Sequence, residues 1–293
     1  MSTAVAIDPR QMEAGGLAQE ETSKAAGFTI GFWVGLTLIG LAVLATVAVR
    51  VFGIGQPDTL KLAEALAAPS PAHLFGTDAL GRDVFVRTVY ATGLDLQIGL
   101  LTTLFPLLGG MVIGLIAGFY GGWVEALLMR LMDVLLAFPF LVLILAFVSI
   151  FGAGTTGIYV GLTVGGLPIF ARLTRGEMLV LREQQFIMAA RTLGYSSRRI
   201  VFKHALPHVI RPNMVYAPSN ILGNVLTIAA LSYLGLGVQP PTPEWGAIIA
   251  SGQSDLLSAW WISTLPGLFV VVVGMGLALT SEGLAERFRV QMK

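Results

Sequence analysis

The sequence predicts an all-α membrane protein of six transmembrane helices, with both termini cytoplasmic and a long cationic segment between the fourth and fifth spans. Three observations lead there. Charged residues make up only 12% of the 293, against 55% hydrophobic, and a soluble domain carries roughly twice that charged share. The uncharged residues cluster into stretches long enough to cross a bilayer. Lys and Arg are distributed unevenly between the loops. There is no cysteine, which excludes disulfides, thiolate zinc sites, iron–sulfur clusters and a cysteine nucleophile from this chain.

The charge-free stretches run over 28–49, 96–124, 134–171, 212–243 and 256–281. A crossing takes about 20 apolar residues to span roughly 30 Å of hydrocarbon. The third stretch is too long for one helix, and Gly152-Ala153-Gly154-Thr155-Thr156-Gly157 interrupts it with turn-forming residues. Six spans are therefore expected near 28–52, 95–120, 126–150, 158–176, 213–237 and 260–284. The first is too long for a signal-peptide core and reads as an uncleaved anchor. Residues 1–27 are polar and rich in Ala and Gly, as expected of a loose cytoplasmic tail. Residues 285–293 form a second, short tail.

Orientation follows from the cations. With the N-terminus inside, fourteen of the eighteen Lys and Arg residues are cytoplasmic, eight of them between Arg172 and Arg211, as the positive-inside rule demands. Trp33 and Trp123 then fall near the inner boundary, and Trp245, Trp260 and Trp261 near the outer one. Spans two to six each carry a proline: Pro106, Pro139, Pro168, Pro218 and Pro266. Each frees a carbonyl and bends its helix, through irregular packing or because the bundle encloses a polar cavity.

The segment 177–211 has the composition of an ordered connection. Glu177–Thr192 reads as helix, with Gly194 as its C-terminal stop. Ser196 or Ser197 can cap a second short helix over 198–206 that meets Pro207 near its end. Ala189 and Ala190, just before the turn, leave room for another protein to approach the backbone closely. The same basic segment would also suit the surface of anionic lipid. In the fifth span Asn213, Tyr216, Asn220, Asn224 and Thr227 recur at steps of three and four, within about 80° on one helical face. They either line a solute route or bond neighbouring helices together. Arg130 and Asp133 sit one turn apart and read as a local ion pair, or Asp133 as a proton-relay acid.

Other classes are poorly supported. The three histidines, His73, His204 and His208, all lie outside the spans, so an intramembrane hydrolase or a histidine metal site has no candidate residues, and no metal is expected. No G-x-x-x-x-G-K-[ST] loop occurs, so the chain has no such nucleotide-binding motif. No nucleic-acid partner is expected. An ion-coupled secondary transporter is the alternative to an ATP-driven one, and a scaffold without transport is the third reading.

Met188-Ala189-Ala190-Arg191-Thr192-Leu193-Gly194 with the following Leu206-Pro207 resembles the cytoplasmic coupling loop of ABC-importer permeases. Met188 stands where Glu is usual, and His204 where Ile is usual. His73-Leu74-Phe75-Gly76-Thr77-Asp78-Ala79-Leu80-Gly81-Arg82-Asp83 resembles the outer-face signature of the smaller of the two permeases in the peptide/nickel subgroup. Gly121-Gly122, Ala137-Phe138-Pro139, Ser232-Tyr233-Leu234-Gly235-Leu236-Gly237 and Pro243-Glu244-Trp245-Gly246 fit the same subgroup. Gly93 and Asp95 replace its common Arg and Ser, and Ser281-Glu282-Gly283 its usual Gly-Asp-Gly.

The resemblance covers about residues 28–284. It implies a type I ABC-importer permease of a bacterial cytoplasmic membrane, moving di- or oligopeptides by alternating access, with nickel chelates or another small solute as the alternative. The implied partners are a homologous second permease, two ATPases that bind ATP and Mg, an extracytoplasmic substrate-binding protein, the peptide, and membrane lipid. This chain itself would be no enzyme and hold no cofactor. Met188, Ala189, Ala190, Arg191 and Gly194 would meet the ATPase, with Leu206 and Pro207 directing the return to span five. Thr77, Asp78, Arg82, Asp83, Glu244 and Trp245 are outer-face contact candidates. Alternatively, Asp78 caps a surface helix and Asp83 is exposed, and the segment 243–246 is an interfacial turn.

Overall fold

The computed structural model describes residues 29–290; the tail expected over 1–27 and the last residues of the tail over 285–293 lie outside them. Helices follow one another with almost no other structure: α1 (Ile30–Val51), α2 (Val84–Tyr120), α3 (Gly122–Leu136), α4 (Phe140–Phe151), α5 (Thr155–Leu181), α6 (Gln185–Thr192), α7 (Ser197–Arg199), α8 (Leu206–Tyr233), α9 (Trp245–Ser251) and α10 (Trp261–Val290). Among the described residues there is no strand, only an isolated bridge between Thr77 and Asp83. Five helices are long and apolar enough to cross a membrane, and the bent pair α3–α4 makes a sixth crossing if it counts as one span.

The bundle is organised around α2 and α5. Gly110, Gly114 and Gly118 lie one turn apart on α2 and meet the α5 backbone directly. A methyl group at Gly114 would stand 2.4 Å from the Ala171 carbonyl, and one at Gly110 would stand 2.8 Å from that of Leu167. Gly157, Gly161 and Gly165 repeat the device on the other face of α5, against Val148, Ile144 and Phe140 of α4. Small residues at four-residue spacing are the usual means of close helix approach in a lipid environment, where tails are as apolar as side chains and packing itself must drive association.

Four buried clusters fill the remaining space, the smallest being Val49, Val86 and Val89 between α1 and α2. Leu107, Met111, Leu115, Phe170 and Met178 pack against the segment that carries α6 at one end of the bundle. Ile98, Ile144, Ile158 and Ile228 join α2, α4, α5 and α8. Val84, Trp245, Ile248, Trp261 and Ile262 tie α9 to the ends of α2 and α10 at the opposite end. The outer helices α1 and α10 pair closely, with Gly35 under Gly276 and Thr280, and Gly283 under Phe32. The beginning of α1 and the far end of α10 therefore lie together, at the same end as α6.

Several expectations change. Span two begins at Val84 rather than near 95, because Asp83 caps it through Val86 N–H at 2.9 Å and its first three turns are held by packing rather than by apolar composition. Span three is not one straight rod: it bends by 83° between α3 and α4, where Pro139 stands at the start of α4 without an N–H to continue the ladder. By contrast Pro106, Pro168, Pro218 and Pro266 sit inside continuous helices. Span four runs on to Leu181. Trp245 and Trp261 are buried rather than displayed, at the end of the bundle opposite α6, their ring N–H groups donating to Thr88 O at 3.0 Å and Thr77 O at 3.2 Å.

Gly114→Val should lower the thermal midpoint of the purified protein in detergent by an amount equivalent to about 1–3 kcal/mol or more, because the nearest obstacle is backbone. Gly176→Val, in open space on α5, should leave it near the parent value.

Candidate coupling segment and polar seam

The connection between α5 and α8 is a rigid knob. After α5 ends, three residues turn the chain into α6, which closes with paired bonds: Tyr195 N–H to Ala190 O at 3.1 Å, and Gly194 N–H to Arg191 O at 2.9 Å. This Schellman closure requires a left-handed residue, and Gly194 supplies it at φ +74°. Ser196 then caps the next helix, accepting from Arg199 N–H. The turn of π-helix over Ile200–Ala205 leads directly into α8, so the chain does not stop at Pro207 as expected. Pro207 lies in the first turn of α8, where a missing N–H costs little.

One face of the knob is locked to the bundle. Ile187, Ala190, Ile200, Val201 and Ala205 are buried against α2 and α5. The Arg191 guanidinium lies over the Phe119 ring at 5.0 Å and Arg199 over Tyr195 at 3.9 Å. Ala190, expected on the outer surface, therefore faces inward. Met188, Ala189, Arg191 and Gly194 face outward, and so do Leu193, at 71% exposure, and Phe202. Leu193 lies within the coupling motif but is not among its expected contacts, and Phe202 lies outside the motif; no local pattern separates Phe202 from its buried neighbours Ile200 and Val201.

The polar residues of α8 divide into two groups. Asn213 is fully buried, its amide donating to Thr174 Oγ1 on α5 at 2.9 Å and to Val209 O at 2.7 Å. Asn224 donates to Thr102 and Thr103 on α2, at 3.0 and 3.2 Å, while the Thr103 hydroxyl donates to Asn220 Oδ1 at 2.9 Å. Tyr216 packs edge-on against Phe170. Tyr216, Asn220 and Thr227 keep partial exposure. Thr102, Thr103 and Thr174, which complete this seam, were not singled out in the sequence, where a Thr inside an apolar run has no distinguishing context.

Beside the knob, Glu125, Met129, Arg130, Asp133, Arg172 and Arg175 line an open cavity of about 660 Å³ between α3 and α5. Asp133 pairs with Arg172 at 2.5 Å, not with Arg130, and Arg175 Nε donates to Glu125 at 2.6 Å. The bend after α3 lays that helix along α5, so a partner across the gap displaces the one a turn away.

At the opposite end the motif residues form a folded turn. Asp78 is buried and accepts from Leu80 N–H and Arg82 N–H, and from Arg82 Nε at 2.6 Å. It is not a helix cap. Asp83 is the cap and also bonds His73 Nδ1 at 2.8 Å, so it is not simply exposed. Thr77, Glu244 and Trp245 are fully buried, and among the six outer-face candidates only Arg82 and Asp83 retain partial side-chain exposure. Glu244 caps α9, accepting from Gly246 and Ala247 N–H at 3.0 and 2.8 Å. Among the described residues no cluster of His, Asp or Glu could hold a metal.

A bundle of helices long and apolar enough to cross a membrane, with a locked knob at one end and an interhelical polar seam, defines a multi-pass membrane component. The chain belongs to the family described as binding-protein-dependent transport system inner membrane component, whose model matches residues 110–290, from the middle of α2 to the end of α10. It is 36% identical over 260 residues to the dipeptide transport system permease protein DppC of Alkalihalophilus pseudofirmus, covering 89% of this chain and 86% of that one. It is 38% identical over 225 residues to the glutathione transport system permease protein GsiD of Pectobacterium atrosepticum, covering 77% and 75%.

Among solved structures, a chain of the inward-facing MetNI methionine ABC transporter aligns with a TM-score of 0.50 at 19% identity, over 69% of this chain and 96% of that one. A chain from the crystal structure of an amino acid ABC transporter with histidines aligns at 0.53 and 16%, over 69% and 94%. At such identities the likeness concerns the fold. Family membership makes the protein a multi-pass membrane component that works with a binding protein and an ATPase.

Asn224→Leu should destabilise the protein in mixed micelles by about 1–2 kcal/mol, since both threonines and Asn220 lose their shared donor; Thr227→Val, whose hydroxyl bonds only within its own helix at Gly223 O, should stay within a few tenths.

Proposed function

We propose that this chain is one of two permease subunits of an ATP-driven importer that carries di- or oligopeptides across a bacterial cytoplasmic membrane by alternating access. The N- and C-termini and the α6 knob lie in the cytoplasm, as the distribution of Lys and Arg requires. A homologous permease, two ATPases holding ATP and Mg, and an extracytoplasmic binding protein complete the assembly. The relatives' names, dipeptide and glutathione transport permeases, support a short peptide as the solute.

The single observation that carries the reading is the knob. Its inner face is welded to α2 and α5 while Met188, Ala189, Leu193 and Gly194 stay outside. A push on that outer face is passed to two packed spans that move as units. Arg191 ties the knob to α2 through the Phe119 ring, and Leu206 and Pro207 direct the return into α8. The partly exposed Tyr216, Asn220 and Thr227 are the portion of the polar stripe that meets the solute, while Asn213 and Asn224 keep the helices in register.

In the assembled transporter, Gly194→Trp should abolish stimulation of ATP hydrolysis by loaded binding protein and cut peptide uptake by about tenfold or more, equivalent to at least 1.4 kcal/mol of lost coupling. Gly194→Asn, which tolerates the left-handed backbone, should retain most of both. Normal stimulation and uptake in the Trp variant would overturn the assignment. Uptake by vesicles loaded with ATP should survive an uncoupler; its collapse would instead mark an ion-coupled carrier. Mass spectrometry of the solute released from the co-purified binding protein should show short peptides.

A further inference from the structure

Two carboxyl groups are buried against one another where α9 meets α2. Glu244 is fully buried and Asp95 is 1% exposed, and Asp95 reaches the residue next to Glu244, the backbone of Trp245. Their bonding is unequal. Glu244 accepts on both oxygens from the first N–H groups of α9. Asp95 Oδ2 accepts from Trp245 N–H at 3.1 Å, but Asp95 Oδ1 is sealed from solvent and has no donor.

Two ionised carboxylates only accept and cannot bond each other, and like charges in one dry site oppose double ionisation. A proton on Asp95 Oδ1 resolves both problems, because it supplies the missing donor and removes one charge. No described cation neutralises the pair. Arg87, on the same helix, is turned to Pro57 O, Asp58 and Pro241 O. Arg50 on α1 lies over the Tyr90 ring. Asp255, after α9, bonds Ser254, and Tyr233 at the end of α8 is exposed. The charged groups of α8 and α10, Arg211, Glu282, Glu286 and Arg287, lie at the opposite end of the bundle.

We propose that Asp95 and Glu244 form a proton-binding site in which one proton, carried on Asp95 Oδ1 and donated to Glu244, latches α9 to α2. The helix it secures is a wedge between three spans. Trp245 bonds Thr88 O on α2, a methyl at Gly246 would stand 1.9 Å from Ala229 O on α8, and Ile248 is 3% exposed beside α10. Burial pushes the Glu244 carboxyl up from its usual range despite its N–H donors. The docked form therefore holds a proton that the separated groups release above the ordinary carboxylate pKa of about 4. Docking is strongest below that range, weakens as pH rises above it, and is weakest once the pair itself has ionised.

The test uses the assembled transporter in lipid vesicles and stands independently of the solute carried. The chain has no native cysteine, so Ile248→Cys gives a single buried reporter on this subunit, read by mass after maleimide labelling. Rates are compared at each pH between Asp95 and Asp95→Asn, whose amide donates to Glu244 without a titratable proton, so the reagent's own pH dependence cancels. From about pH 6 to 9 the Asp95 protein should label progressively faster than the Asn variant, by up to about tenfold per pH unit while the docked pair keeps its proton, levelling off once the pair ionises. Glu244→Gln, donating from the other side, should flatten the same profile. Equal rates at every pH, or faster labelling of the Asn variant throughout, would overturn the proposal. Should neither variant assemble, the unmodified pair still decides it: labelling of Ile248→Cys that merely tracks the pH dependence of a free thiol would refute the latch, and a rise beyond it would support the latch.

Discussion

The contact between α2 and α5 is the constraint on which the remaining architecture depends. Three glycines on one face of α2 bring its backbone against α5, and a second set on α5 does the same for α4. In a bilayer, apolar side chains gain little by leaving lipid for protein, so surface complementarity and interhelical hydrogen bonds decide which helices meet. Here both act on the same pair. Where the backbones touch, Thr102, Thr103 and Thr174 come within reach of the asparagines of α8, and the third helix is bonded into the groove the first two create.

The two ends of this central pair serve different purposes. At one end α2 and α5 carry the knob, whose buried half is continuous with their own packing. At the other end α2 receives α9, capped by a buried carboxylate and wedged beside α8 and α10. Force applied to the knob and any rearrangement of the wedge thus meet on α2. This is a physical basis for alternating access: packed, interdigitated elements shift as bodies between discrete arrangements rather than deforming continuously.

Much of the design is legible in the amino-acid order because its cause is local. Charge-free runs reveal the spans, Gly194 and Ser196 the turn and cap of the knob, and the step of three and four the polar face of α8. Other features are invisible to local reading. The start of α2 lies among residues whose helix is held by α1, α9 and the loop before it, so hydropathy places the boundary too late. Asp133 chooses Arg172 over Arg130 only because the chain bends at Pro139. Whether the motif residues Thr77, Asp78 and Glu244 are displayed or buried depends on which helices close over them.

By itself the sequence determined that the chain is built of apolar helices long enough to cross a membrane and where the knob turns, because bilayer thickness, backbone hydrogen bonding and glycine conformation act over a few residues. The tertiary structure alone decided which polar groups face one another: the glycine seam, the asparagine–threonine bonds and the meeting of Asp95 with Glu244 across 149 residues of chain. The energy of a polar group is set by the partner it finds after packing, and that partner is fixed by how helices approach, which no spacing along the chain records.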